Sequence, residues 1–340
     1  MSKSKVKNTK IAGHSKHSKH SKLKIKRYIT IDALRGFAVV MMVFVSTLYI
    51  VAKDIPFYLL HNQGDALLFF DLVAPIFQFV LGMSLFFFIL HREAHGFNRK
   101  EIMFQILWRY LLLIILGFVL DAISYLDFSS WGVLETLGVG GIIAYFISDR
   151  TNNEKILISI LILSVYSFFY YNPIFMNLIA MPHGGPIGAL SYSVISIIGF
   201  MTAKMLYKRK SDKIFFNAML KYALILMVLG ILLNFLIPFN KAHASPSFII
   251  VATGIVIIFY LLFFVIYKSV DYTFDHLRIL GRAALSIWVA EYVIGWIFFF
   301  IIQKTQFIDF IPGLLISIIV TIFMYFVAIV LNRMNLRISF

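Results

Sequence analysis

The chain has 340 residues, of which 61% are hydrophobic and only 14% charged, against roughly a quarter charged in ordinary soluble domains. So much apolar surface cannot be hidden in a water-soluble domain, and lipid must be the solvent for most of the chain. The net charge of +15 balances 31 Lys and Arg against 16 Asp and Glu, and the absence of cysteine excludes disulfides, thiolate metal sites and cysteine nucleophiles.

The first segment is basic. Ten Lys and Arg precede residue 28, and the triplet His-Ser-Lys repeats three times over 14–22. Such a segment buries no apolar area, so residues 1–27 are expected to form a disordered basic cytoplasmic tail that touches lipid rather than nucleic acid. It is too long for a signal peptide, and no small-residue cleavage site closes the apolar run that follows. Residues 28–340 read as one transmembrane domain.

A helix needs about 20 apolar residues to cross the hydrocarbon core. By that test the chain is all-α and polytopic, with about ten spans in one bundle: 31–52, 66–90, 102–120, 131–147, 155–171, 185–207, 214–236, 247–267, 279–302 and 311–331. Cytoplasmic loops carry the excess of Lys and Arg. The tail and the loops on its side hold 24 of the 31, and the opposite loops hold three, Lys53, Lys241 and Lys304. Both termini are therefore expected in the cytoplasm, and a prokaryotic plasma membrane is the default location.

Some polar groups are costly in this setting. His61 lies in the first external loop, in "LLHNQGDALLFFDLVAP" (59–75), and Asp71 lies inside the following span. An ionisable group within a span is expensive and usually has a partner. Asp71 either fixes the tautomer of a nearby imidazole or packs helices through polar side chains. Asp65 is expected to cap the second span. The external histidines His61, His183 and His243 show no HxH or HxxxH spacing, so no metal site is expected. On the cytoplasmic side, Arg35, Arg109 and Arg282 sit near one leaflet boundary. Guanidinium groups there either bind phosphates bidentately or snorkel to lipid headgroups. Glu291, mid-span in "SIWVAEYVIG", needs a partner inside the bundle or is protonated.

Four stretches in order resemble a known family. "IDALRGFAVVMMVFV" (31–45), "DLVAPIFQFVLGMSLFF" (71–87), "IPFNKAHASPSFIIVATG" (237–254) and "LRILGRAALSIWV" (277–289) are similar to motifs of membrane acyltransferases related to heparan-α-glucosaminide N-acetyltransferase and the bacterial YeiB-like proteins. The resemblance extends over about residues 27–335. It implies transfer of an acetyl or other acyl group from cytosolic acyl-CoA, the co-substrate, to an amine or hydroxyl acceptor, a sugar by analogy, on the outer face. The family's essential histidine stands ten residues before the second-span aspartate, which is His61 here. Its Asn-Lys pair falls on Asn240 and Lys241. The chain departs from the glucosaminide enzyme at Ser46 (there asparagine), Ala244 (tryptophan) and Glu291 (histidine), and that enzyme's leading span and lumenal domain are not expected here.

The expected catalytic set is thus His61, as general base for direct attack or as a brief carrier of the acyl group, Asp71 as its orienting carboxylate, and Asn240 and Lys241 at the reaction centre or the acceptor mouth. Arg35, Arg109 and Arg282, with Ser46 and Glu291, are expected to receive acyl-CoA, Ser46 also being a candidate oxyanion donor. Membrane lipids are expected partners, nucleic acid is not, and a homodimer is compatible with the reading. The rival is a proton-coupled transporter or flippase of a lipid-linked or anionic solute using Asp71 and Glu291. Against it, no inverted repeat is found.

Overall fold

A computed structural model describes residues 15–61, 64–125, 131–305 and 307–336. Among the described residues twelve α-helices follow one another: α1 Ser15–Val51, α2 Val73–Ala94, α3 Arg99–Tyr125, α4 Val133–Ile147, α5 Asn152–Tyr171, α6 Met176–Ile179, α7 Gly185–Lys208, α8 Asp212–Asn234, α9 Pro246–Val270, α10 Asp275–Arg282, α11 Ala284–Thr305 and α12 Phe310–Arg333. Among the described residues the only β pairing is an isolated bridge between Ala52 and Ile308. The architecture is all-α.

Eight of these helices are long and apolar enough to cross a bilayer, which marks an integral membrane protein. They correspond to the first, second, third, fifth, sixth, seventh, eighth and tenth expected spans. The other two are shorter apolar runs, Val133–Ile147 and Ala284–Phe298. At 1.5 Å per residue Val133–Ile147 is roughly 22 Å long, short of the roughly 30 Å hydrocarbon core, whereas α11, of which Ala284–Phe298 is part, runs on to Thr305, 22 residues and roughly 33 Å. The ninth run begins later than expected because the chain turns at Ala283, where φ is −97° and ψ is 12°. Residues before that turn form the separate, amphipathic α10. At the other end, α1 reaches back to Ser15, into the segment 1–27 expected as a disordered tail. An apolar helix already nucleated in the bundle extends at little cost, since each added residue gains one backbone bond. Residues 1–14 of that tail lie outside the described residues, as does Arg337.

Burial separates core helices from lipid-facing ones. The apolar windows of α2 and α7 are 72% buried and those of α1 and α9 61%, whereas that of α8 is only 17% buried. A helix that is apolar all round yet exposed in this way presents its outer face to hydrocarbon. The central pair, α2 and α7, is pinned by Ser196 Oγ donating to the Gln78 carbonyl at 3.1 Å.

The crossing of α1 and α10 is closer still. A Cβ at Gly36 would overlap the carbonyl of Leu277, and one at Gly281 would overlap the carbonyl of Asp32. Small residues let helix backbones approach this closely in lipid. The consequence is positional: Arg35 precedes Gly36 and Arg282 follows Gly281, so the contact brings the two guanidinium groups together. Asn332 Nδ2, donating to the Ile279 carbonyl at 3.0 Å, ties α12 to the same corner. Gly281→Val is expected to destabilise the protein by about 1–3 kcal/mol, the usual cost of overpacking. Gly295→Ala, where an added Cβ meets only the end of Ile50, should be near neutral. Reversible unfolding in mild detergent would compare them, and equal stabilities would refute the close-contact argument.

Candidate active site

The first cluster forms where the loops before α2, α7 and α9 meet. A 3-10 turn, Phe69–Leu72, leads into α2, and the Asp71 side chain reaches back to accept the Leu68 N–H at 2.8 Å. Asp71 therefore stands in the first turn of the span, at its mouth. It also supplies the cap that was expected from Asp65. Asp65 instead accepts from Asn240 Nδ2 at 3.2 Å. Asp71 is completely buried, and its second oxygen, Oδ1, faces His61 Nδ1 at 3.4 Å and Lys241 Nζ at 3.8 Å. His61 keeps 30% of its side chain exposed and Lys241 11%, so both groups meet the carboxylate from the loop side. Asn62 and Gln63 of the same loop lie outside the described residues.

The loop carrying Lys241 is sewn down on every side. Asn240 Oδ1 accepts the His243 N–H at 2.8 Å, and the Asn240 N–H donates to Ser245 Oγ at 2.9 Å. Gly184 N–H donates to the Ala242 carbonyl at 2.7 Å, Tyr166 OH to the His243 carbonyl at 2.5 Å, and Ser191 Oγ to the Ala244 carbonyl at 2.9 Å. Five positions flanking Lys241, residue 240 and residues 242–245, are thus fixed by α5, Gly184, α7 and the loop's own turn. Asn240 spends its carbonyl and one amide hydrogen on this scaffold.

Burial dominates the electrostatics. It holds the His61 imidazole below its ordinary value of 6.5 against the pull of Asp71, and Lys241 lowers it further. Burial likewise pushes the Lys241 ammonium down to about 8, with Asp71 opposing. At neutral pH the site therefore holds a neutral imidazole and a Lys241 cation that is readily neutralised.

The second cluster lines a cavity of about 880 Å³, including its open mouth, between α1, α2, α3, α4 and the α10–α11 turn. Arg35, Arg109 and Arg282 all line it, together with Ser84, Tyr110 and Trp288. Arg35 Nη2 donates to Ser84 Oγ at 2.7 Å, and its Nη1 lies 3.3 Å from both Asp32 Oδ1 and the Gly281 carbonyl. Arg282 Nε stands 3.6 Å from the other oxygen of Asp32. The Arg109 guanidinium lies over the Phe88 ring, 5.5 Å from its centroid. Farther along, Glu291 is 9% exposed and hydrogen-bonds Ser46, the polar partner its place in the bundle required.

A family model described as "Heparan-alpha-glucosaminide N-acetyltransferase, catalytic" matches residues 27–236, well over half of the chain. The protein belongs to that acetyltransferase family. The match takes in His61, Asp71, Arg35, Ser46 and Arg109, and it ends before Asn240, Lys241, Arg282 and Glu291. Heparan-alpha-glucosaminide N-acetyltransferase of Mus musculus is 31% identical over 151 residues, which is 42% of this chain and 20% of the mouse protein. Its Homo sapiens counterpart is 34% identical over 120 residues, 33% of this chain and 18% of the human protein. The aligned segment is thus a fifth or less of each curated relative.

Two side chains beside His61 carried no role in the sequence reading of this family member. His183 and Tyr192 adjoin the first cluster, with ring centroids 5.8 Å apart. Ser191, Tyr192, Ser193 and Ser196 interrupt the apolar run of α7 and are completely buried, a polar strip legible in "SYSVIS". Among the described residues no three His, Asp or Glu side chains gather as a metal-holding group.

Proposed function

We propose that the protein transfers an acetyl or other acyl group from acyl-CoA held at the arginine cavity to an amine or hydroxyl acceptor at His61, across the membrane. One observation carries the reading: the two clusters share one helix. Asp71 opens α2, and Ser84, to which Arg35 is bonded, lies 13 residues farther, roughly 20 Å along the axis at 1.5 Å per residue. Phe77, at the near side of the cavity, is only six residues from Asp71, roughly 9 Å. A phosphate-rich head among three arginines, with its thioester arm extended along α2 toward His61, fits that arrangement. Ser46 and Glu291 fall at intermediate depth and would border the arm. In this reading the arginine end and both termini face the cytoplasm, as the Lys and Arg bias of the loops supports.

The chemistry follows from the site. With Nδ1–H directed at Asp71, the lone pair of His61 resides on Nε2. Nε2 takes the proton of the acceptor amine or hydroxyl as that atom attacks the thioester carbonyl. The carbon–sulfur bond then breaks, the new carbon–nitrogen or carbon–oxygen bond remains, and coenzyme A leaves carrying the proton as a thiol. Lys241 and the remaining amide hydrogen of Asn240 are placed to offer charge and a donor to the oxyanion, and a well-aimed donor contributes about 3 kcal/mol.

Two measurements test this. Acetyl-CoA should raise the melting temperature of the purified protein, because a ligand of the native state stabilises it. Labelled acetyl should then appear on an amino-sugar acceptor. A transporter reading forecasts neither, and their joint absence would dispose of the proposal. A pH profile adds a sharper check. The base form of His61 persists below pH 6.5, so the acid limb of kcat/KM should fall only under that value. The alkaline limb should centre near 8, where Lys241 loses its charge, and Lys241→Met should abolish that limb while lowering the maximum. An alkaline limb unmoved by Lys241→Met would remove Lys241 from the reaction.

A further inference from the structure

We propose that His183 and Tyr192 form a hydroxyl-binding pair that positions the acceptor beside His61. Tyr192 is completely buried, and its hydroxyl has no hydrogen-bond partner among the described residues. The buried Nδ1 of His183 is likewise unpaired among them. The two rings lie 5.8 Å apart and within electrostatic reach of the catalytic cluster: His183 senses Lys241 and His61, and Tyr192 senses Asp71. Leaving a buried polar atom without a partner is costly, so two such atoms on neighbouring rings point to a ligand that satisfies both.

The scaffold aims them at the site. His183 sits in the left-handed region at φ 60° and ψ 24°, between the chain's approach to α7 and the glycine pair that opens it. The next residue, Gly184, bonds the Ala242 carbonyl, which ties His183 to the Lys241 loop. Tyr192 is held two turns farther along α7, its ring also against Phe248 at 6.4 Å.

The chemistry selects the ligand group. A phenol and a neutral imidazole nitrogen together offer one donor and one acceptor, and an aliphatic hydroxyl answers both. A carboxylate would meet Asp71, and an ammonium would meet Lys241. The group held is therefore a hydroxyl of the acceptor, neighbouring the atom that attacks. This assignment rests on the acyl-transfer reading of the site, but its sugar-binding test needs no acyl-CoA.

Glucosamine is the probe, with cyclohexylamine as an amine lacking hydroxyls. Glucosamine alone should raise the melting temperature of the wild-type protein. Tyr192→Phe and His183→Asn, the latter tolerant of left-handed backbone, should each weaken that effect to an apparent affinity about tenfold lower. Stabilisation by acetyl-CoA should be unchanged, and so should the cyclohexylamine transfer rate. Without ligand, Tyr192→Phe should melt at the same temperature or higher, since it deletes a hydroxyl that has no partner. A structural hydrogen bond would instead lower it, and that result would overturn the assignment. So would failure of glucosamine to stabilise the wild type, or equal losses for both amines. If sugar binding depends on Tyr192 but no acetyl moves, the pair stands and the transfer reading falls. If acetyl moves with unaltered sugar affinity in both variants, the pair falls and the transfer reading stands.

Discussion

Replacing His61 by alanine is expected to cut acyl transfer by roughly 10²–10⁴-fold, the range general-base catalysis contributes, while leaving acyl-CoA binding intact. The separation follows from geometry. His61 faces Asp71 at the start of α2, and the arginine cavity is lined by residues from Phe77 onward on that helix. The substitution removes a partly exposed loop side chain, so folding should be little affected. Asp71→Asn is the companion variant. It keeps the size of the side chain and can still accept the Leu68 N–H, but it withdraws the charge that orients the imidazole and balances Lys241. Its loss should be smaller than that of His61→Ala and accompanied by a displaced pH profile. Transfer of labelled acetyl and binding of acetyl-CoA are to be measured on the same detergent preparation. Near-normal turnover by His61→Ala would remove the imidazole from the reaction.

The legibility of this site differed from residue to residue. The span pattern was plain because apolar runs of about 20 residues admit few other structures in a chain this poor in charge. The break at Ala283 was not, since the apolar run continues through it and only the packing of α10 on α1 turns the chain. Arg35, Arg109 and Arg282 were singled out one by one as costly groups near a leaflet boundary. Their convergence on one cavity depends on the Gly36–Gly281 contact, a tertiary fact between segments about 245 residues apart. Asp65 was misplaced because its local spacing imitates a helix cap, whereas its partner, Asn240, comes from a loop 175 residues later in the chain. Tyr192 was legible only as polarity in the wrong place: a hydroxyl among serines on an otherwise apolar helix. Its neighbour His183 stood out only as an external histidine without metal-ligand spacing, and only the fold sets it against the Lys241 loop.

The arginine cavity yields the other large effect, and the three guanidinium groups should not behave alike. Arg282 is 44% exposed and shares the single Asp32 carboxylate with Arg35, so the two guanidinium groups together keep a net positive charge. Arg282→Gln should weaken acetyl-CoA binding about tenfold or more, since a hydrogen bond to a charged group contributes about 1.5–3 kcal/mol, and should leave melting in the absence of ligand unmoved. Arg35 already bonds Ser84 and the Gly281 carbonyl, so it both joins α1 to α2 and α10 and faces the cavity. Arg35→Gln should therefore lower affinity and stability together, and the double variant should lose about a hundredfold or more in affinity if both contact phosphate. Coenzyme A titrations at two salt concentrations separate phosphate contacts from packing, because the electrostatic share is screened by salt. Unchanged affinity in Arg282→Gln, with Arg35→Gln affecting stability alone, would make the cluster a helix clamp and require the phosphates to be held elsewhere.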